Sequence, residues 1–377
     1  MKVLISCGGT GGHINPALAI ADIIKSKYPD AEFLFVGTPN GMESKLVPKA
    51  GYKMETIKAA GFQRKISLEN IKRNIKAATY LAMSGKRAKE IITNFNPDIA
   101  IGTGGYASGA VIRKAARMGI PSAIHEQNAY PGVTNKLLAK EVDYVMLTVI
   151  DALDFMGNEK FEYSVTGLPV RSNINNITRD EARKKLGFNN DFTILSFGGS
   201  LGAGCINDTM SETIKWHTKN HLNINHIHGY GGMGKDTFPQ EMKKAGIPLK
   251  SNRLRITEYI NDMDVCLAAA DLVICRSGAS TLAELEASAK ASILIPSPIV
   301  AGNHQYHNAM VLGKAGASVV IEQKDVTNEK IISEIEKLYN NPKKVKIMSY
   351  NAGKLHLKDT DKRILDVIDK LYEKSKK

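Results

Sequence analysis

Short apolar runs, most of them ending in glycine or small polar residues, alternate along this chain with longer stretches whose apolar positions recur at three and four. The strand-like runs of the first half are Val3–Ser6, Phe33–Val36, Ile99–Ile101, Ser122–His125 and Tyr144–Leu147. Helical patterns lie between them. In Pro16–Lys27 the residues Ala17, Leu18, Ala21 and Ile24 make a buried stripe, and Pro16 suits a first helical turn. Strand and helix alternating at this spacing predict an α/β fold built on a parallel, doubly wound sheet.

The pattern then starts again. After Gly167-Leu168-Pro169 come Thr193–Phe197, Asn225–His228, Leu254–Thr257, Leu272–Cys275, Ile293–Ile295 and Ser318–Ile321, with Thr166–Ser172 as the linker. Each half opens on a strand that runs into glycines, Cys7-Gly8-Gly9-Thr10-Gly11-Gly12-His13 and Phe197-Gly198-Gly199-Ser200-Leu201-Gly202. A chain of 377 residues has room for two such domains, each with its own core.

Composition narrows the function. Hydrophobic residues are 43% and charged residues 24%, an ordinary globular balance, while the net charge of +13 favours acidic partners such as anionic lipid, nucleic acid or phosphorylated ligands. No nucleic-acid-binding module accompanies the charge, and only 6% of residues are aromatic, so nucleic acid is not expected as a partner. Cys7, Cys205, Cys266 and Cys275 form no C-x-x-C pair and read as reduced thiols. His217, His221, His226 and His228 cluster without the carboxylate or cysteine pattern of a metal site. The opening apolar run is too short for a signal peptide, and no stretch is long enough to span a membrane, so a cytosolic protein with peripheral membrane contact is expected.

Three glycine-rich turns follow strands: Gly8–Gly12, Gly102–Gly105 and Gly198–Gly202. Glycine lets main chain approach a ligand closely, and the helix that follows offers free amides to an anion. On spacing alone, Gly102-Thr103-Gly104-Gly105-Tyr106-Ala107 with Glu126 beyond the next strand also fits a dinucleotide fingerprint, which leaves a nicotinamide-dependent oxidoreductase open. His13 ends the first glycine turn, where an imidazole can deprotonate a hydroxyl near neutral pH. His125–Gly132 and Arg276–Glu284 are dense in polar groups directly after buried strands, as site walls are. Within the second, Ser and Thr stand at a helix start that faces phosphate, and Glu284 lies a turn inside it, placed to accept from ribose hydroxyls.

Taken together, Gly8–His13, Gly102–Gly109, His125–Asn128, Gly167-Leu168-Pro169-Val170-Arg171, Gly198–Gly202, Arg276–Glu284, and Ile295–Pro298 followed by Asn303-His304-Gln305 resemble, in this order, the motifs of one family. It is the MurG family, the bacterial GlcNAc transferases that act on undecaprenyl-diphospho-muramoyl-pentapeptide. The resemblance runs from residue 1 to about residue 322. It implies a GT-B fold of two facing Rossmann-like domains with a cleft between them. One domain would span residues 1–165 and be rejoined by a C-terminal helix over about 350–377; the donor-binding domain would span 166–349. It further implies inverting transfer of GlcNAc from UDP-GlcNAc to the muramoyl 4-hydroxyl of lipid I, giving lipid II for the cell wall. Carried over by motif, Arg171 and Ser200 would meet the diphosphate, Ile260 the uracil, Ala279, Ser280 and Thr281 the phosphates, Glu284 the ribose and Gln305 the sugar. Thr10, Gly11, Gly12, His13, Tyr106 and Asn128 would line the cleft from the first domain and complete the UDP-GlcNAc site. Gly204 and Ala291 stand where the family often has Arg and Pro.

For this reaction His13 is the expected base, with Glu126 behind it. No D-x-D motif is placed to bring a metal to the diphosphate, so no cofactor or metal is expected. The lipid-borne acceptor calls for a membrane face. Within Phe62–Glu90 a helical stripe of Leu68, Ile71, Ile75, Ala78 and Ala82 is surrounded by basic residues, which suits anionic lipid. The candidates for contact are Phe62, Lys65, Lys72, Arg73, Lys76, Tyr80 and Met83. Another lipid glycosyltransferase or a UDP-GlcNAc epimerase, which shares the nucleotide end, stays open as an alternative.

Overall fold

The computed structural model describes residues 1–59, 83–157, 160–171 and 173–377. Phe62, Lys65, Lys72, Arg73, Lys76 and Tyr80 lie outside them; Met83, at the described start of a helix over 83–95, is exposed. Two compact units emerge, Met1–Pro169 together with Leu357–Lys377, and Val170–His356. The chain rejoins the first unit at Leu357 because the helix Pro342–Leu355 belongs to the second, where it buries Val345, Met348 and Ala352.

In the first unit seven strands form one sheet: β1 (Lys2–Ser6), β2 (Glu32–Gly37), β3 (Lys53–Thr56), β4 (Ile99–Gly102), β5 (Ser122–Glu126), β6 (Tyr144–Leu147) and β7 (Tyr163–Val165). Their order is β3-β2-β1-β4-β5-β6-β7, and every described pairing is parallel. The five strands read from the sequence are its centre. The two edge strands were not read, because β3 is mostly solvent-facing with a polar sequence and β7 is only three residues long. Val3, Ile5, Ile99 and Ile101 pack under the helix Gly11–Lys27, and the C-terminal helix Thr360–Ser375 closes that core with Ile364, Val367, Ile368 and Leu371. A Tyr28 to Asp369 hydrogen bond of 2.7 Å ties these two helices at the surface.

The first helix starts five residues before the expected Pro16. Gly11, Gly12 and His13 form its opening turn, with Thr10 as the N-cap, so His13 sits at the positive end of the helix rather than in a loop. Pro16 lies inside the helix, one turn from its start.

The second unit repeats the plan with β8 (Phe192–Phe197), β9 (Ile224–Gly229), β10 (Leu254–Thr257), β11 (Leu272–Cys275), β12 (Ala291–Leu294) and β13 (Ser318–Val320), in the order β10-β9-β8-β11-β12-β13. Its described pairings are parallel as well. Both units are thus Rossmann-like α/β domains. In each, the strand order reverses beside the first strand, between β1 and β4 and between β8 and β11, and the crevice beyond the strand ends at such a reversal is where α/β sheets hold ligands. All four cysteines are free; three are buried and Cys205 is half-buried.

Candidate active site

At the reversal in the first unit Ser6 pairs with Gly102, which brings the turns after β1 and β4 side by side. Their approach depends on missing side chains. A Cβ on Gly105 would run into the carbonyl oxygen of Gly8, and one on Gly104 would stand 2.7 Å from His13 Nδ1. Both glycines have positive φ, 112° and 89° at Gly104 and Gly105. The glycines that matched a dinucleotide fingerprint therefore let chain meet chain. Thr103 adds a bond from its hydroxyl to the His13 carbonyl, at 2.8 Å.

Hydrogen bonding fixes the tautomer of His13. Gln127 Nε2 donates to the His125 carbonyl at 2.8 Å, so Gln127 Oε1 is the atom that faces His13 Nδ1, at 3.0 Å. A carboxamide oxygen only accepts, so Nδ1 carries the proton and Nε2 is left with the lone pair of a base. Behind Gln127, His125 donates from Nε2 to the Gly167 carbonyl at 3.0 Å, and its Nδ1 lies 3.2 Å from Gln127 Nε2. Burial holds the pKa of His125 below its usual value, so the relay stays neutral.

Glu126 does not stand behind His13. Its side chain is buried, and both oxygens are taken. Oε1 accepts from the Asn128 amide at 2.9 Å and from Asn128 Nδ2 at 3.1 Å, while Oε2 accepts from the Gly132 amide at 3.0 Å and from Asn135 Nδ2 at 2.8 Å. Four donors use its accepting capacity, which corrects the expectation of a second base and removes the ribose carboxylate of the oxidoreductase reading. Strand alternation explains the exchange: Gln127, one residue on, is the one that reaches His13. Asn128 is held by Glu126, Tyr106 opens a helix with its ring exposed, and Thr10 is exposed with no side-chain capping bond.

A second carboxylate was missed altogether. Glu43, fully buried, reaches into the first glycine turn. It accepts from the Gly9 amide at 3.1 Å, the Thr38 amide at 2.9 Å and the Thr38 hydroxyl at 2.6 Å. Burial works to raise its pKa, but the bonds from Thr38 and Gly9 outweigh it and hold the carboxyl below its usual value. The only sequence signal was an acidic residue after the turn Gly37–Gly41, too weak to single out.

In the second unit Phe197 pairs with Cys275, so the turn Gly198–Gly202 adjoins Arg276–Gly278. Gly202 has φ +84°, and a Cβ there would collide with the Tyr230 carbonyl. Ser200 stands exposed in this turn. Beside it the helix Ala279–Ala287 begins with no side-chain cap, and its first intrahelical bond is donated by Leu282 to Gly278. The amides of Ala279, Ser280 and Thr281 therefore precede the helical ladder and point out of its positive end. Neighbouring loops are tied on: Arg276 donates to the Ile295 and Pro296 carbonyls, and the Ser277 hydroxyl to the Gln305 carbonyl at 2.7 Å. Gln305 Oε1 accepts from the Ser297 amide at 2.9 Å, which leaves its two N–H groups to donate elsewhere. Arg171 and Glu284 meet each other, with Nε to Oε1 at 2.6 Å. Burial raises the pKa of Glu284, and Arg171 opposes the rise. The side chain of Ile260 is in the core, 6% exposed and packed against Gly229, which leaves its main chain to meet a base.

Three of the clustered histidines, His217, His226 and His228, are interior, and His221 is exposed. His217 Nε2 lies 3.2 Å from His226 Nδ1, and the Ser196 hydroxyl lies 2.8 Å from both His226 Nε2 and His228 Nδ1. Burial holds His217 down to about 4 and His228 to about 3, with His226 also well below its usual value.

Residues 3–147 match the glycosyltransferase family 28 N-terminal domain, and residues 193–364 the glycosyltransferase family 28 C-terminal domain. The chain is 44% identical over 369 residues to a UDP-N-acetylglucosamine–N-acetylmuramyl-(pentapeptide) pyrophosphoryl-undecaprenol N-acetylglucosamine transferase of Acetivibrio thermocellus, covering 98% of this chain and 97% of that protein. A protein of the same name from a Thermoanaerobacter species is 45% identical over 370 residues, covering 98% and 99%. Among solved structures, MurG of Acinetobacter baumannii superposes with a TM-score of 0.79 at 26% identity, covering 98% of this chain and 99% of that one. A UDP-GlcNAc 2-epimerase from Neisseria meningitidis shares the fold at a TM-score of 0.66 and 12% identity, covering 98% and 100%.

Proposed function

This chain belongs to glycosyltransferase family 28, and from that membership and the geometry above we infer how its residues divide the work of transfer. The enzyme moves N-acetylglucosamine from UDP-N-acetylglucosamine to N-acetylmuramyl-(pentapeptide) pyrophosphoryl-undecaprenol, a step of peptidoglycan synthesis.

In this reading the first unit supplies the base. The muramoyl 4-hydroxyl gives its proton to His13 Nε2 while its oxygen bonds to the anomeric carbon. The bond from that carbon to the diphosphate oxygen breaks, the electron pair leaves on UDP, and the centre inverts. Thr10, Tyr106 and Asn128 position the acceptor around His13. The second unit receives the leaving group. Charge developing on the diphosphate is met by the free amides at Ala279, Ser280 and Thr281, by Ser200 and by Arg171, donors set in place before reaction. Glu284 accepts from ribose and Gln305 donates to the sugar. The observation that carries the assignment of the base is the relay Gly167–His125–Gln127–His13, which puts the proton of a neutral His13 on Nδ1 and its lone pair on Nε2.

The acceptor is lipid-borne, so the enzyme works as a peripheral protein at the cytoplasmic face of the membrane, drawn to anionic lipid. Support comes from the basic stretch Phe62–Glu90 and from the helix Val133–Leu138, where Val133 and Leu137 are exposed beside Lys136. Among the described residues no helix is long and apolar enough to cross a membrane. Transfer of labelled N-acetylglucosamine to a lipid I analogue tests the whole. Wild type should form the disaccharide with an inverted anomeric centre, and Gln127→Leu should lower kcat at an unchanged donor KM. Retention at the anomeric centre would overturn the single displacement.

A further inference from the structure

The second unit carries a surface that donor binding does not use. Three helices lie at the end of the chain, and two of them mix acidic and basic residues. Asn328–Tyr339 holds Glu329, Glu334 and Glu336 with Lys330 and Lys337, and Lys337 pairs with Glu334 at 2.6 Å. Thr360–Ser375 likewise mixes Asp361, Asp366, Asp369 and Glu373 with lysines and Arg363. The helix between them, Pro342–Leu355, has Lys343, Lys344, Lys346 and Lys354 and no acidic residue at all.

Its outward face is not simply cationic. Val345, Met348 and Ala352 point into the core. Opposite them Lys343, Ile347, Tyr350 and Lys354 recur at i, i+4, i+7 and i+11 and share one stripe. Ile347 is 60% exposed and Tyr350 62%, and Lys354 Nζ sits 4.5 Å from the centre of the Tyr350 ring. An exposed isoleucine and tyrosine among four lysines match the layered chemistry of a bilayer surface, with phosphates outside and hydrocarbon just beneath. A nucleic acid would leave Ile347 against phosphate.

We propose that the helix Pro342–Leu355 is a second lipid-contacting surface, on the donor-binding unit, that rests on anionic phospholipid with Ile347 and Tyr350 entering the headgroup boundary and Lys343, Lys344, Lys346 and Lys354 meeting the phosphates. The inference rests on the reading of the enzyme as one that works at a lipid surface, and it adds a contact outside the basic stretch of the first unit.

The test is cosedimentation of the full chain with vesicles of phosphatidylglycerol and phosphatidylcholine, and with phosphatidylcholine alone, at low salt. Each lysine near an anionic surface contributes about fivefold to partitioning. K343Q/K344Q/K346Q should lower binding to the anionic vesicles on the order of a hundredfold, and I347S/Y350S should lower it further in the same background. Transfer to a water-soluble acceptor analogue should stay at the wild-type rate in both variants, which shows that they fold and keeps the result separate from the chemistry. Vesicle binding unchanged in the triple variant would overturn the proposal, as would a loss of binding to single-stranded nucleic acid with vesicle binding intact. A wild-type chain that binds vesicles but transfers no sugar would sink the proposed reaction and leave the surface standing.

Discussion

The two units open on the same device, a strand running into a glycine turn, and then use it differently. In the first unit one amide of the turn, that of Gly9, is satisfied from within. Glu43 brings a carboxylate to the Gly9 amide and Thr38, where a phosphate would otherwise be drawn. In the second unit, among the described residues, no carboxylate accepts from the amides of Gly198–Gly202 or from the uncapped start at Ala279. In the reading proposed above, one turn is a scaffold, closed at Gly9, that presents His13, and the other receives an external anion. Duplicated architecture therefore does not mean duplicated detail: a buried carboxylate occupies part of one turn and has no counterpart among the described residues of the other.

That division is broken most directly at His13. If the first unit contributes the base and the second the donor site, His13→Ala should reduce kcat by about a hundred- to ten-thousandfold. The KM for UDP-N-acetylglucosamine should stay within about twofold, because uniform donor binding is untouched. Steady-state kinetics with both substrates varied would check it. A matching collapse of donor affinity would mean that the two halves do not work separately.

Acid separates the units next. His217 and His228 are neutral and buried, with folded pKa values of about 4 and about 3, below the unfolded value near 6.5. Depressed histidines favour folding fully above the unfolded pKa, and the advantage is lost as pH falls through 6.5 toward the folded values. Between pH 7 and pH 5 each costs about 2 kcal/mol, roughly 4 kcal/mol together. In the first unit burial holds one histidine, His125, below its usual value. Hydrogen exchange at pH 5 should show the sheet of the second unit opening before that of the first. Replacing His217 by Gln should narrow the gap.

Much of this was legible beforehand, and the omissions have physical causes. Strands buried on both faces announce themselves as apolar runs, so the central strands of both sheets were read while the polar edges β3 and β7 were not. Proline was trusted as a helix start, yet Gly11 and Gly12 had already turned the chain. The polar cluster at His125–Asn128 was recognised as a wall, but which of its side chains meets His13 depends on which way each residue of a strand points and on where its neighbours' donors go. A motif gives the neighbourhood; the hydrogen-bond count gives the assignment, and it moved the role from Glu126 to Gln127. Glu43 carried no such signal, because its partners are main-chain groups brought together only by folding.

Glu43 in turn sharpens the comparison. Glu43→Ala strips buried donors of their acceptor and should lower the stability of the first unit by about 3 kcal/mol. For a domain of this size that is a fall in Tm of roughly 6–12 °C. Differential scanning fluorimetry with and without UDP would check it: a donor that binds the second unit should raise the melting of that unit in the variant as it does in wild type. If Glu43→Ala instead creates a new phosphate-dependent stabilisation, the closed turn will have been opened into a second anion site.

The smallest effect expected is the most symmetrical. Gly105, in the turn after β4, and Gly202, in the turn after β8, are alike in backbone, each at positive φ and each pressed against a carbonyl, of Gly8 and of Tyr230. An alanine at either costs about 1–2 kcal/mol in backbone strain alone, roughly tenfold if it appears in function. The two should be read out differently. Gly202→Ala displaces the open turn and should raise the donor KM about tenfold at nearly constant kcat. Gly105→Ala pushes on the Gly8 carbonyl and, through Gly104, on His13, so it should lower kcat by a similar factor and leave the donor KM alone. Two substitutions identical in chemistry and in backbone geometry would then fall on different kinetic constants because only one of the turns faces the nucleotide. Should both shift the same constant, the glycine turns would be sharing one ligand, and the division between a presenting turn and a receiving turn would have to be given up.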